Sequence, residues 1–280
     1  MRLGSQNEML NHTNSPELTE RQKREKEYYD QYSQGFDLGQ AVDFAPVTSP
    51  EPRPWNSYWA VYHLASDKFN QGSRLLDFGS GPGDNALRFA KIGYQVEGFD
   101  ISESNVSIAK QLFDKYEFTG RGNFVASAAE SLPYEDNSFD FIAGVDILHH
   151  INIEKAILEC KRVLKKGGTA VFREPLEVPL VDAVRNTALV KMFAPKDKSF
   201  EFHITEDERK LNQRDIKIIK EIFPDVVIDR YFFLARFDRF FRKGSDPAPS
   251  LLEKIDHLLF KIFPPLKYLG GVVIFKMTKS

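Results

Sequence analysis

Residues 75 to 83, Leu-Leu-Asp-Phe-Gly-Ser-Gly-Pro-Gly, set an apolar strand directly before three glycines at alternate positions, and a helix-forming stretch begins at Asp84. A strand, a glycine turn and a helix in immediate succession commit the chain to a βα unit, and three glycines in five residues predict a ligand lying against bare backbone. Gly79, Gly81 and Gly83 would form that turn, and Asp77, the last side chain before it, helps select the guest. A dinucleotide fingerprint places glycine at its first, third and sixth positions, but the sixth position here is Asp84, whose charge repels phosphate at a helix N-terminus. No Lys-Ser or Lys-Thr follows the glycines, which excludes a P-loop. The guest that remains is a phosphate-free nucleoside whose charged end is compatible with acids.

The downstream half of the unit agrees with this reading. Apolar residues at 86, 87, 89, 90 and 92, with Gly93 as a stop, predict a helix over 84–92 packed on a sheet. A strand over 94–99 follows and runs into Asp100, 17 positions beyond Gly83, close to where a ribose-binding acid ends the second strand of a nucleotide-binding unit. One carboxylate can accept from both ribose hydroxyls, so Asp100 suits that task. Ser102 is placed to cap the next helix, whose apolar face is Val106, Ala109, Leu112, Phe113 and Tyr116.

Five segments in order complete a pattern: Asp77-Phe-Gly-Ser-Gly-Pro-Gly, Asp100-Ile-Ser, Ala129-Glu-Ser-Leu-Pro-Tyr with Asn137-Ser-Phe-Asp140, Leu148-His-His-Ile151, and Arg162-Val-Leu-Lys-Lys-Gly-Gly168. Across roughly residues 73 to 175 the chain resembles the class I S-adenosylmethionine-dependent methyltransferases, specifically the small-molecule group called type 11. The resemblance implies a Rossmann-like, doubly wound α/β sheet of seven strands in order 3-2-1-4-5-7-6, with strand 7 antiparallel. It implies S-adenosylmethionine as cofactor and S-adenosylhomocysteine as product. The cofactor-binding residues it implies are Asp77, Gly79, Ser80, Gly81, Gly83, Asp100, Ile101, Ala128, Ala129, Glu130 and Asp146. The family usually has an acid where this chain has Ala128, so adenine recognition falls to backbone near Ala129 and to apolar contact from Ile101.

The methyl of a sulfonium cation is already activated, so in-line placement and exclusion of water can supply much of the rate. A hydroxyl acceptor also gains from a base. His149 and His150, just past the fourth strand, are the first candidates, with His150 favoured because the family's motif places a His there. Glu174, directly after the fifth strand, and His203, in Phe200-Glu-Phe-His-Ile-Thr, are further catalytic candidates. The side chain of Asp146 could instead simply cap a turn. Tyr29 and Tyr32 could close over the cofactor from an N-terminal helix. The histidines are scattered and no ligand spacing recurs, so no metal site is expected.

The remaining organisation follows from composition and period. Residues 1–15 are polar and are expected to be disordered. A segment over 16–70 carries a charged helix at 16–34, a proline-rich irregular connector at 45–54 and a helix at 55–69 burying Tyr58, Trp59, Tyr62 and Leu64, and it is expected to cover the site. The methyltransferase domain is expected over 71–280, with strands at 73–78, 94–99, 122–127, 138–145, 168–173, 226–235 and 271–277, and with substrate-covering insertions at 176–223 and 236–269. The single cysteine, Cys160, lies on an apolar helix face and reads as core, in keeping with a reducing cytoplasmic compartment. A net charge of −2 leaves nucleic-acid binding without support. No apolar run approaches the roughly 20 residues of a membrane span, and no signal-peptide pattern opens the chain.

The aromatic segment 231–241, with Arg236, Arg239, Arg242 and Lys243, and the helical apolar series from Leu251 to Phe263 read ordinarily as core or cover packing, with a membrane surface as the other reading. The function expected is methyl transfer to an oxygen, nitrogen or carbon of a small, partly apolar metabolite. The alternatives are a catalytically silent cofactor-binding partner subunit and, more weakly, an NAD-dependent oxidoreductase, which Asp84 and the glycine spacing oppose. Oligomeric state is left open.

Overall fold

The computed structural model describes residues 17–185, 187, 209–240 and 250–280. Seven strands form one sheet in the order β3-β2-β1-β4-β5-β7-β6. They are β1 (Arg74–Phe78), β2 (Gln95–Asp100), β3 (Gly122–Ala126), β4 (Phe139–Val145), β5 (Leu164–Pro175), β6 (Val227–Tyr231) and β7 (Val272–Thr278). The first five pair in parallel, whereas β7 runs antiparallel to both β5 and β6. The direction of the strand order reverses between β1 and β4, and ligands gather beyond the carboxyl ends of such strands.

Nine helices accompany the sheet among the described residues: α1 (Glu20–Tyr32), α2 (Ala45–Thr48), α3 (Ser57–Lys68), α4 (Asp84–Ile92), α5 (Glu103–Lys115), α6 (Ile153–Val163), α7 (Pro179–Arg185), α8 (Gln213–Ile222) and α9 (Leu251–Ile262). Their starts follow local chemistry. Ser102 Oγ accepts from Asn105 N at 3.0 Å to cap α5, and Asn152 Oδ1 accepts from Lys155 N at 3.1 Å to cap α6. Thr19 and Gln22 form a reciprocal capping box on α1.

Alternation along the strands divides the core in two. Leu76 and Phe78 of β1 point to the side of α6 and α8, where Ile157, Cys160, Ile216 and Ile219 are buried, and Leu75 points to the side of α3, α4 and α5, against Val61, Leu87, Phe89 and Ala109. Phe78 makes edge contacts to Phe99 and Phe172 at ring-centroid distances of 4.8 and 5.2 Å, so one aromatic row ties three strands together. Cys160 is fully buried, and burial pushes its thiol well up.

Several expectations are adjusted. The connector at 45–54 contains the helical turn α2, with Pro46 near its start, where a missing N–H costs nothing. Helix α3 buries Trp59, Val61, Tyr62 and Ala65, while Tyr58 is exposed and Leu64 only partly buried. Strand β5 begins at Leu164, opposite Phe139, then shifts register before Thr169 pairs Phe141, and it extends to Pro175 because β7 pairs it that far. Strand β6 ends at Tyr231, not 235: Phe232 turns into positive φ, +62°, and Asp256 of α9 accepts backbone N–H groups from Phe233, Leu234 and Ala235 at 2.8 to 3.0 Å. Residues 1–15, His203, Arg242 and Lys243 lie outside the described residues.

Candidate active site

A cavity of about 770 Å³ opens at the carboxyl ends of β1, β2 and β4. Its floor is the glycine turn, and the three glycines there serve different ends. A Cβ at Gly79 would meet Ile147 Cδ1 at 2.7 Å, and one at Gly83 would meet Ala109 Cβ of α5 at 2.8 Å, so both positions are fixed by packing inside the protein. Gly81 has φ +50° and nothing within 4 Å of an added Cβ. Close approach of a ligand to bare backbone is therefore a property of Gly81 and not of all three. Gly83 does not line the cavity; Gly79, Ser80 and Gly81 do.

The walls are acidic. Glu25, Asp37, Asp84, Asp100, Glu130 and Asp146 line the cavity against two cationic side chains, Arg21 and Lys155, and one histidine, His150. Asp100 accepts from Gly81 N and Ser102 N, both at 2.9 Å, and from Asn105 Nδ2 at 3.2 Å. These donors hold its carboxylate at the rim of the turn, and burial nevertheless raises its pKa. Asp77 is 1% exposed and sits beneath the turn, outside the cavity lining. The N–H of Ala86, in the first turn of α4, donates to it, and its Oδ2 has no hydrogen-bond partner. Burial first, then the charges of Asp84 and Asp100, raise its pKa well above the ordinary value. Asp77 thus supports the turn from behind without touching the cavity.

Ile101, Ala129 and Glu130 line the cavity, and Ala128 does not, its neighbour Ser127 taking that place. Glu130 is a tie between elements: Oε2 accepts from Gln22 Nε2 of α1 at 2.8 Å and Oε1 from Asn152 N at the start of α6 at 2.9 Å.

The segment after β4 is held by Glu174. This fully buried carboxylate accepts from Ile147 N at 2.9 Å and Leu148 N at 2.7 Å, and its Oε2 lies 2.7 Å from His149 Nδ1. Neither Glu174 nor His149 lines the cavity, so both catalytic candidates are placed behind its wall, where they fix the turn that carries His150. Asp146 has φ +55° and lines the cavity; its Oδ1 is bound by buried Arg173, and Oδ2 accepts from Tyr58 Oη at 3.0 Å. Ser57 Oγ accepts from Arg173 Nε at 3.0 Å, so α3 braces this corner.

His150 lines the cavity, 8% exposed. Tyr29 Oη lies 3.1 Å from its Nε2 and Glu25 Oε2 3.5 Å from its Nδ1, both from α1. Residues Arg21, Gln22, Glu25, Tyr29 and Tyr32 of α1, with Ser33, Phe36, Asp37 and Gln40 beyond it, roof the cavity. Helix α1 is seated largely by polar contacts. Besides Gln22, its Asp30 Oδ1 accepts from Ser102 Oγ at 2.6 Å and Ser104 N at 3.3 Å. None of the described residues of 176–223 or 236–269 lines the cavity. Sequence reasoning named the two tyrosines but missed Arg21, Gln22 and Glu25. The signal was there: positions 21, 25, 29 and 32 form one helical stripe.

A mixed sheet with its last strand inserted antiparallel defines a Rossmann-like fold, and an acid-lined crevice lies at its strand-order reversal. Residues 76–172 match the family model Methyltransf_11, a methyltransferase domain. The chain is 32% identical over 146 residues to a demethylmenaquinone methyltransferase of Chlorobaculum tepidum, a match covering 49% of this chain and 54% of that protein. It is 28% identical over 162 residues to the ubiquinone/menaquinone biosynthesis C-methyltransferase UbiE of Geotalea daltonii, covering 56% and 65%. The chain thus spans about half to two thirds of the length of these two relatives. Among solved structures, geranyl diphosphate C-methyltransferase of Streptomyces coelicolor superposes with a TM-score of 0.57 at 14% identity, covering 94% of this chain and all of that one. The [4+2]-cyclase SpnF does so with a TM-score of 0.55 at 20% identity, covering 95% and 99%. These two structural likenesses concern the fold.

Proposed function

We propose that the protein is an S-adenosylmethionine-dependent methyltransferase that moves a methyl group to an oxygen, nitrogen or carbon of a small, partly apolar acceptor and releases S-adenosylhomocysteine. The observation that carries this reading is the pairing of Gly81, bare toward the cavity, with the Asp100 carboxylate held at its rim, in a lining of six acids and two cationic side chains. That lining suits a cationic nucleoside and opposes a pyrophosphate. The relatives named as methyltransferases support it.

Asp100 would take the ribose hydroxyls, backbone around Gly79 to Gly81 the amino-acid end, and Ile101 with Ser127 to Ala129 the base. When bound there, S-adenosylmethionine supplies the activated methyl group. The chain's own contribution is orientation, dryness and proton handling. Helix α1 closes the cavity from above, and Phe36, Ile147 and Ile151 give it an apolar portion for the acceptor. His150 is the base in this reading: a carboxylate on its Nδ1 side favours the Nδ1–H tautomer, and Nε2, which faces the Tyr29 hydroxyl, is the nitrogen that would take the acceptor's proton. The relative named for demethylmenaquinone makes an aromatic, partly apolar acceptor the first class to try. A cytoplasmic setting belongs to the same reading, in keeping with one buried, unpaired cysteine.

The fold also occurs in a protein named as a cyclase, which favours keeping the catalytically silent subunit as a second reading. Thermal unfolding with S-adenosylmethionine and S-adenosylhomocysteine, then release of S-adenosylhomocysteine across a panel of phenolic, amine and carbon-acid acceptors, separates the two. No stabilisation by either sulfur compound would sink the binding proposal, and binding without turnover on any acceptor would favour the silent subunit. For a hydroxyl or carbon-acid acceptor, His150→Gln is expected to lower kcat about 100-fold with S-adenosylhomocysteine affinity unchanged; an unchanged kcat removes the base.

A further inference from the structure

Five of the ten exposed large apolar side chains among the described residues fall in one stretch, Leu251, Leu258, Ile262, Phe263 and Tyr268. They lie on α9 and the 3₁₀ turn Pro264–Leu269 that follows it. The exposed positions of α9 are Leu251, Lys254, Leu258, Lys261 and Ile262, a single face at helical spacing. Beyond it Phe263, Pro264, Pro265, Lys267 and Tyr268 continue the same surface. Every exposed residue from 251 to 268 is therefore apolar, aromatic, proline or lysine. The two acids of the stretch are turned inward: Glu253 Oε2 accepts from Asn56 Nδ2 at 3.1 Å, and buried Asp256 binds the backbone of residues 233 to 235.

We propose that this face rests on an anionic membrane surface, with Leu258, Ile262 and Phe263 entering the headgroup boundary and Lys254, Lys261 and Lys267 meeting lipid phosphates. Apolar residues interleaved with lysine and stripped of outward acid are what an interfacial helix needs. The charge pattern also decides against the simplest alternative occupant. A two-fold contact between copies apposes a patch with itself, and this one would set lysines against lysines. Arg236, which sequence alone suggested for such a role, is only 8% exposed and reaches Asp182 and the carbonyl oxygens of Leu176 and Phe232, so the surface is formed by α9 instead. Among the described residues no helix is long and apolar enough to cross a membrane, and the face lies along a surface. The proposal does not depend on the reaction.

Flotation of the full chain with phosphatidylcholine vesicles, with and without phosphatidylglycerol, tests it. Cofloating is expected with the anionic vesicles and is expected to weaken as salt rises. Lys254→Gln, Lys261→Gln and Lys267→Gln together should weaken partitioning on the order of 100-fold, and Ile262→Asp with Phe263→Asp should abolish it. Circular dichroism melting near the parent value shows that each variant is folded. A chain that stays in solution with both vesicle types, or variants that float as the parent does, would overturn the proposal. So would a dimer in the absence of lipid that Ile262→Asp with Phe263→Asp dissociates, which would give the face to a second copy.

Discussion

Asp77 lies under the glycine turn with the carboxylates of Asp84 and Asp100 within electrostatic reach. Its pKa is raised, chiefly by burial, so the folded chain keeps a proton that the unfolded chain releases above the ordinary aspartate value of about 3.9. Between that value and the raised one, stability falls as pH rises. Asp77→Asn should relieve this while preserving the acceptor for Ala86 N–H. Its melting temperature should match the parent near pH 4 and exceed it increasingly as pH rises. A second comparison at this scale separates packing from ligand contact. Gly83→Ala, forced against Ala109, should lower stability by about 2–4 kcal/mol. Gly81→Ala has open space, so it should cost only about 1 kcal/mol from its positive φ, yet weaken cofactor binding at least about tenfold. Calorimetry of unfolding and of binding on the two variants reads both effects.

At the scale of elements, two attachments shape the site. Glu174 joins the end of β5 to the turn after β4 through two backbone donors and His149. Glu174→Ala would strand buried N–H groups, and a loss of roughly 2–4 kcal/mol is expected. Glu174→Gln keeps an oxygen for both backbone donors and should lose less than half of that in the same denaturant titration. The other attachment is α1, whose only buried residue is Glu25, a charged one. Gln22→Ala with Asp30→Ala removes its ties to Glu130 and Ser102 while leaving the sheet core untouched. The melting temperature should move little, and the KM for acceptor should rise about tenfold; steady-state kinetics and thermal unfolding on the same sample check the split.

Across the whole molecule, the five parallel strands were legible because each is a short apolar run alternating with an amphipathic helix, whereas the sheet order and the antiparallel last strand were legible only through the resemblance to the methyltransferase family. Of the residues that line the cavity, Gly79, Gly81 and Asp100 were legible from the glycine turn and the end of the second strand, and Ser80, Ile101, Ala129, Glu130 and Asp146 through the family resemblance. What was not legible depends on distant partners. The apolar run 226–235 reads as one strand, and only Asp256, more than 20 residues on, reveals why it breaks at Phe232. The contacts of Glu174 with the backbone of Ile147 and Leu148 and with His149, and the place of both side chains behind the cavity wall, depend on segments 25 to 27 residues apart. Glu25 becomes part of the site only when α1 crosses to His150.

That crossing sets an order of events. Asp30 of α1 grips Ser102, next to the Asp100 carboxylate proposed to take the ribose, so a seated helix would restrict arrival and departure of the nucleoside. Each turnover would then include one unseating, and the step that limits the rate would be departure of the spent nucleoside and not the displacement. Rapid-mixing experiments should show a burst of methylated product in the first turnover followed by a slower steady rate, and the Gln22→Ala, Asp30→Ala variant should lose the burst.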